Sequence, residues 1–323
     1  MPSPAPSPAL LPVRLPSPVL TLSEPRLERA GVELRLKRDD VIHPMVPGNK
    51  WRKLVPNLRA ALAEGHTRLL TFGGAYSNHV RAVAAAAAAC GLSSVGVIRG
   101  DELAHAPRNW SLRQAEDHGM DLVFLDRTSY RGMLDTLDEP DTRRRLAAGW
   151  GRCYVLPEGG SNALAARGAA EIAAELRTDT GPRDVVCCAV GTGGTLAGIA
   201  AGLHPGGRAL GIAVLRGASY LDGAVDRVHD LGWRRRFGNW RIDHAHHGGG
   251  YGRVPADLEA FAADFEDRHG LRIERRYVAK MLRAVHDLAG TATLPPGTRV
   301  TAVITGPPDP VGPVHEGPDR REG

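Results

Sequence analysis

Val190-Gly191-Thr192-Gly193-Gly194-Thr195 follows the apolar run 184–190 and opens an Ala/Leu-rich segment of helical period. Strand, glycine turn and helix in that order form the unit from which parallel sheets are built. The turn lies beyond the carboxyl end of the strand, where such sheets bind ligands. Backbone N–H groups at the helix start, with the hydroxyls of Thr192 and Thr195, form a cradle for one phosphate. Leu196 stands where the dinucleotide fingerprint G-x-G-x-x-G needs its third glycine, and no lysine follows as in a nucleotide P-loop. The stretch therefore predicts an α/β protein that holds a single phosphate, and it argues against a nicotinamide-dependent oxidoreductase.

The same design occurs twice earlier in the chain. Phe72-Gly73-Gly74-Ala75-Tyr76-Ser77-Asn78-His79 ends an apolar run and precedes a very alanine-rich helical segment. Its glycines let the backbone turn tightly, and Ser77 or Asn78 can cap the helix whose N–H groups would hold a carboxylate. Pro157-Glu158-Gly159-Gly160-Ser161-Asn162 is a third such turn. Strands are expected at 68–72, 94–98, 121–125, 153–156, 184–190, 209–215 and 299–304. Helices are expected at 78–90, 109–118, 163–177, 194–203, 255–269 and 277–288. No internal repeat is found.

Lysine occurs only at 37, 50, 53 and 280, among 41 basic residues. Arginine stays protonated, so an amine nucleophile must come from these four positions. Lys50 belongs to Gly48-Asn49-Lys50-Trp51-Arg52-Lys53, between Pro47 and a helical pattern. The positive field at a helix start disfavours an ammonium and lowers its pKa. A phosphate cradle together with a nucleophilic amine points to pyridoxal 5′-phosphate, whose phosphate would be anchored and whose aldehyde would be held.

Composition sets the outer bounds. The 323 residues have a formal charge of +5, but the basic runs 143–145 and 234–236 are short and diluted, so no nucleic-acid partner is expected. No run approaches the ~18 apolar residues of a membrane span, and none is expected to meet a membrane. The Pro-, Ser- and Ala-rich residues 1–18 lack a basic start and make a poor signal peptide, so they are expected to be disordered. Cys90, Cys153, Cys187 and Cys188 form no C-x-x-C pair and are expected to be buried and reduced, as in a cytoplasmic protein. The Pro-, Gly- and charge-rich tail 307–323 is expected to be irregular.

The pieces Gly48 to Leu54, Gly73 to His79, Pro157 to Asn162, Gly191 to Gly198 and, more weakly, Tyr277-Val278-Ala279-Lys280-Met281 run in one order over about residues 15 to 305. Together the chain resembles the 1-aminocyclopropane-1-carboxylate deaminase and D-cysteine desulfhydrase family, within the tryptophan-synthase-β-like (fold type II) pyridoxal-phosphate enzymes. The resemblance implies an α/β fold of two domains with parallel-type sheets flanked by helices. Residues 19–54 plus 161–306 would form the large domain and 55–160 the inserted small one, with the cofactor in the cleft between them. A homodimer is implied as well.

The resemblance makes Lys50 the Schiff-base lysine and general base. It puts Asn78 on the cofactor 3′-oxygen and residues 191–195 on the phosphate. It puts Ser77, with Asn78 and His79, on the carboxylate of a small amino-acid substrate, and Tyr251 and Tyr277 beside that substrate. Two departures matter. The deaminases follow the tyrosine matching Tyr277 with a glutamate for the pyridine nitrogen, whereas this chain has Val278. The family's later His-Thr-Gly-Gly turn reads Ile304-Thr305-Gly306-Pro307 here, keeping Thr305 for that nitrogen. The expected reaction is elimination and deamination of the D-cysteine type. Cyclopropane ring opening is the alternative, and cofactor binding with little turnover is the reading outside catalysis. The tail also stands where the family ends in a helix.

Other candidates read as plain structure. His244, His246 and His247 are expected to form a polar loop and no metal site, Asp39 and Asp40 a solvated pair, and Lys280 a residue on the surface or just behind the site.

Overall fold

The computed structural model describes residues 13–46, 48–176 and 181–308. The chain begins β1 (Val19–Leu22), α1 (Pro25–Arg29), β2 (Glu33–Lys37) and α2 (Asn49–Ala63). It continues β3 (Arg68–Gly73), α3 (Asn78–Ala89), β4 (Ser93–Arg99), α4 (Trp110–Asp117), β5 (Met120–Leu125), α5 (Arg127–Asp135), α6 (Pro140–Trp150) and β6 (Tyr154–Leu156). Then come α7 (Ala163–Ala174), β7 (Asp184–Val190), α8 (Gly194–Gly202), β8 (Arg208–Ala213), α9 (Tyr220–Trp233), β9 (Trp240–Asp243), α10 (Ala256–His269), α11 (Lys280–Gly290) and β10 (Arg299–Val303).

The strands form two sheets. One has six strands in the order β1-β2-β10-β7-β8-β9, and the other has four in the order β5-β4-β3-β6. All pairs are parallel except β1 with β2. Helices cover both faces, as parallel sheets require. Adjacent Cys187 and Cys188 show this directly. Alternation along β7 sends Cys187 into the core beneath α10 and α11, and Cys188 into the core beneath α8 and α9. Both are buried, whereas Cys90 and Cys153, expected to be buried too, are only partly so.

Helix α2 touches both sheets' layers. Trp51, Leu54, Leu58 and Ala61 enter the core shared with α3 and the small sheet. Its other side meets α7. Pro56 has no N–H to return to the carbonyl of Arg52, and α7 closes on that carbonyl at Gly168, where a Cβ would lie 2.0 Å from the oxygen. A domain boundary between 54 and 55 thus falls inside one continuous helix.

A buried ion lattice fixes the start of α2. The Arg52 guanidinium donates to both oxygens of Asp39, at 2.8 and 2.9 Å, and to both of Glu175, at 2.9 and 3.0 Å. Lys37 donates to Glu175 at 2.5 Å and to the Ser17 carbonyl at 2.7 Å, and the Ser17 hydroxyl donates to Asp39 at 2.6 Å. Two sequence expectations are corrected here. Asp39 is fully buried rather than solvated, because Arg52 supplies its counter-charge. The expected disorder of 1–18 fails for 13–18, since Ser17 is buried and bonded into the lattice. Residues 1–12 and the tail from 309 lie outside the described residues.

Candidate active site

The Lys50 turn is built from three contacts. Gly48 has φ 71°, and a Cβ there would lie 1.9 Å from the Thr305 carbonyl, so only glycine fits. Its N–H donates to the Asp39 carbonyl at 2.9 Å, and the Asn49 N–H donates to the Thr305 carbonyl at 3.2 Å. The Asn49 amide reaches across to the Thr195 hydroxyl at 2.9 Å. The turn is thereby clamped between the ends of β2, β10 and the 191–195 loop. Lys50 occupies the first turn of α2 and lines a cavity of about 190 Å³. Protein surrounds its amine, and this burial pushes the pKa down to about 8.

The same cavity is lined by Ser77, Asn78, His79, residues 191–195, Tyr251, Tyr277 and Thr305, so the fold brings every site residue expected from the sequence to one place. Ser77 caps α3, accepting from the Val80 N–H at 3.3 Å. Arg81 donates to Asn78 Oδ1, which orients the amide nitrogen as a donor for a ligand. His79 is 2% exposed, and neither ring nitrogen has a partner among the described residues. Burial first, then the charges of Lys50 and Lys53, drives its pKa well below the ordinary value, so the ring is neutral. Tyr251 and Tyr277 meet edge to face at 6.2 Å. A Cβ on Gly191 would lie 3.4 Å from the Tyr277 ring.

The 191–195 loop is a cradle. Gly193 adopts φ 82° and precedes α8, whose first residues line the cavity beyond the end of β7, where a helix has N–H groups with no partner inside the helix. Thr192 and Ser161 share a hydrogen bond of 2.6 Å, tying in the Pro157-Glu158-Gly159-Gly160-Ser161-Asn162 turn. Lys53, whose role the sequence left open, is buried beside it. Its amine donates to the Gly159 carbonyl at 2.5 Å and to Ser161 at 3.2 Å, and a Cβ on Gly194 would come within 3.4 Å of it. Space kept open by glycine, helix N–H groups, two hydroxyls and one amine fit a phosphate. The unpartnered ring of His79 and the depressed Lys50 fit an aldehyde-bearing ligand next to it.

Among the lining residues that the sequence reading did not assign to the site are Lys53, Arg99, Glu158 and Tyr220, although Glu158 belongs to the third glycine turn. Arg99 ends β4 and Glu158 follows β6, so the rule that ligands lie beyond strand carboxyl ends would have found them. Of the two placements expected for Lys280, the surface or just behind the site, the second is the one found. Lys280 is 1% exposed, donates to the Gly250 carbonyl at 2.6 Å, and burial lowers its pKa to about 8. It braces the glycine turn before Tyr251. His244 pairs with Asp222 at 2.7 Å and His246 with Asp243 at 2.8 Å, and no cluster of metal-binding side chains occurs among the described residues. No helix among them is long and apolar enough to cross a membrane.

Two parallel-type sheets with an amine and a phosphate cradle at their strand ends define a pyridoxal-phosphate enzyme. The chain belongs to the pyridoxal-phosphate dependent enzyme family, whose profile matches residues 10–306, and pyridoxal 5′-phosphate is its cofactor. A Thermotoga maritima protein named "Putative 1-aminocyclopropane-1-carboxylate deaminase" is 30% identical over 271 residues, covering 81% of this chain and 85% of that one. A D-cysteine desulfhydrase of Salmonella paratyphi B is 37% identical over 205 residues, which span 59% of this chain and 60% of the relative. The crystal structure of an ACC deaminase homologue superposes with a TM-score of 0.76 at 26% identity, covering 92% of this chain and 91% of that one.

Proposed function

We propose that the protein catalyses α,β-elimination from a small amino acid with a leaving group at Cβ, giving a 2-oxo acid and ammonia, with D-cysteine as the leading substrate. The observation that carries this reading is the position of Val278. It is 1% exposed and packed in the core beneath α11, so it offers no carboxylate to a pyridine nitrogen. Glu274 does not replace it, because its carboxylate accepts from the N–H groups of Arg276, Tyr277 and Val278. Thr305 is then the group for that nitrogen, and an alcohol leaves the ring unprotonated.

Residues 191–195 with Lys53 would hold the phosphate, Asn78 the 3′-oxygen and Lys50 the aldehyde. Bound pyridoxal phosphate supplies an electron sink for the pair left at Cα. Ser77 and the N–H groups of α3 hold the substrate carboxylate and set which face of Cα meets Lys50. Lys50, poised near neutrality, takes the Cα proton. Tyr277, kept protonated by burial, or Tyr251 beside it gives a proton to the leaving group. Four free cysteines accord with a reducing cytoplasm, and the family resemblance carries the expectation of a homodimer.

Ring opening of 1-aminocyclopropane-1-carboxylate needs no Cα proton and leans harder on the sink, so it is expected to be the slower reaction. Purified, cofactor-loaded protein should give a higher kcat/KM for D-cysteine than for the cyclopropane substrate, read as keto-acid release. A preference for the cyclopropane substrate would defeat the argument from Val278 and Thr305.

The phosphate assignment has its own test. Thr195 accepts from Asn49, which leaves its hydroxyl proton for a phosphate oxygen. Hydrogen bonds to a charged group are worth about 1.5–3 kcal/mol, so Thr195→Ala should raise the cofactor Kd roughly ten- to a hundredfold. Gly193→Val should weaken binding too, since φ 82° and the Val225 methyl 3.0 Å from the new Cβ both oppose it. Unchanged Kd in both variants would place the phosphate elsewhere.

A further inference from the structure

A second cavity, of about 690 Å³, adjoins the first and shares Gly74, Arg99, Glu158, Tyr220 and Tyr251 with it. Ser77, Asn78 and His79, assigned to the substrate's own carboxylate, line the inner cavity and not the outer one. Charged side chains, among them Arg99, Arg131, Asp135 and Glu158, interrupt the apolar part of the outer walls, which favours a polar group there over a plain hydrocarbon tail. Arg99 extends from the end of β4 over Gly74, its Nη2 3.7 Å from where a Cβ would be, and makes no ion pair among the described residues. Its guanidinium lies 5.8 Å from the Tyr130 ring. Glu158 stands on the same shared wall. It accepts from the Tyr130 hydroxyl at 3.0 Å and likewise has no cationic partner within ion-pair distance among the described residues. Two charges of opposite sign, neither in an ion pair among the described residues, thus line both the inner cavity and the outer one.

An anionic tail would be drawn to Arg99 and repelled by Glu158, and a cationic tail the reverse. A group bearing both charges satisfies both. We propose that the outer cavity receives a second amino-acid head, its carboxylate on Arg99 and its ammonium on Glu158, so that the substrates include thioether-linked bis-amino acids. This rests on the elimination reading of the inner site. For lanthionine the Cβ–S bond breaks with its electron pair on sulfur, which takes up a proton and leaves as cysteine. The three-carbon remainder loses ammonia and takes up water to give pyruvate, so lanthionine and one water yield cysteine, pyruvate and ammonia.

The probe is meso-lanthionine, which presents one head of each hand whichever the inner site takes. Racemic S-methylcysteine keeps the thioether but lacks the second head. The holoenzyme should show a kcat/KM for meso-lanthionine at least tenfold above that for S-methylcysteine. Arg99→Gln and Glu158→Gln should each reduce that ratio tenfold or more. S-(2-carboxyethyl)cysteine, without the distal ammonium, should lose activity in Arg99→Gln and gain it in Glu158→Gln. A wild-type ratio near one, or equal losses on both substrates in both variants, would overturn the proposal, the second by putting the two residues on the inner head group. Retained cofactor absorbance separates either result from misfolding. If no substrate, 3-chloroalanine included, releases keto acid, the elimination reading fails instead. Equilibrium dialysis then decides the second-head site: tighter binding of meso-lanthionine than of S-methylcysteine, lost in both variants, supports it, and equal binding rejects it.

Discussion

Replacing Lys50 by alanine is expected to abolish the absorbance of lysine-bound cofactor and to lower turnover by a factor of roughly 10²–10⁴, the usual contribution of a positioned general base. Lys53→Ala and Lys280→Ala should keep the absorbance. The Lys53 amine is committed to the Gly159 carbonyl and Ser161, and the Lys280 amine to the Gly250 carbonyl behind the site. The Lys50 amine lines the cavity with no hydrogen-bond partner among the described residues, and burial pushes its pKa down to about 8. That shift fixes a pH dependence. Only the neutral amine attacks an aldehyde, and its share grows as pH rises. Attachment of cofactor to the cofactor-free protein should therefore quicken from pH 6 upward and level off above about 8. A lysine with an ordinary pKa would keep accelerating past pH 10. Retained absorbance in Lys50→Ala, measured by spectral titration with added cofactor, would refute the assignment.

The second large effect is on stability. Arg52→Met removes the cation that neutralises Asp39 and leaves Glu175 to Lys37, and both side chains of the Arg52–Asp39 pair are 0% exposed. Leaving a buried charge unpaired costs about 3–5 kcal/mol, which corresponds to a fall in Tm on the order of 10 °C. Arg144→Met, which breaks an exposed pair with Asp141, should leave the Tm unmoved. The loss should also reach the chemistry, because the Asp39 carbonyl holds Gly48 and so the register of Lys50. Calorimetry of both variants is the check. A Tm for Arg52→Met within about 2 °C of wild type would show that the lattice does not clamp α2.

The strand-to-helix turns were legible because each combines three independent signals: an apolar β-branched run, glycines where backbone must approach a ligand, and a capping residue. Strand β7 was expected at 184–190 and spans Asp184–Val190. What the sequence hid is of two kinds. Strands β1 and β2 pair antiparallel at one edge of the large sheet, and β1 is mostly exposed, so its sequence carries no buried-strand signature. Helices α5 and α6 bury only Tyr130, and Thr142 and Leu146, so little apolar period marks them, although Asp126 caps one and Pro140 opens the other. The start of α11 was placed at Tyr277, but Glu274 caps a wide π-turn over Arg275–Ala279, and the α-helix begins only at Lys280. For the site, residue identities came from the glycine turns and the family resemblance. Lys53 and Tyr220 carry no such signal, because each sits on a helix of its own and only the packed fold brings it to the cavity.

The scarcity of lysine has a practical side once burial is added to it. Lys37, Lys53 and Lys280 are each 1–2% exposed and bound to carbonyl or carboxylate oxygens, and Lys50 opens only into the cavity. The folded chain therefore offers lysine-directed reagents almost nothing on its outer surface. Acylating dyes, aldehyde cross-linkers and enzymes that acetylate or conjugate to lysine meet an essentially inert protein unless they enter the cavity, and one that does enter reports on the occupancy of Lys50.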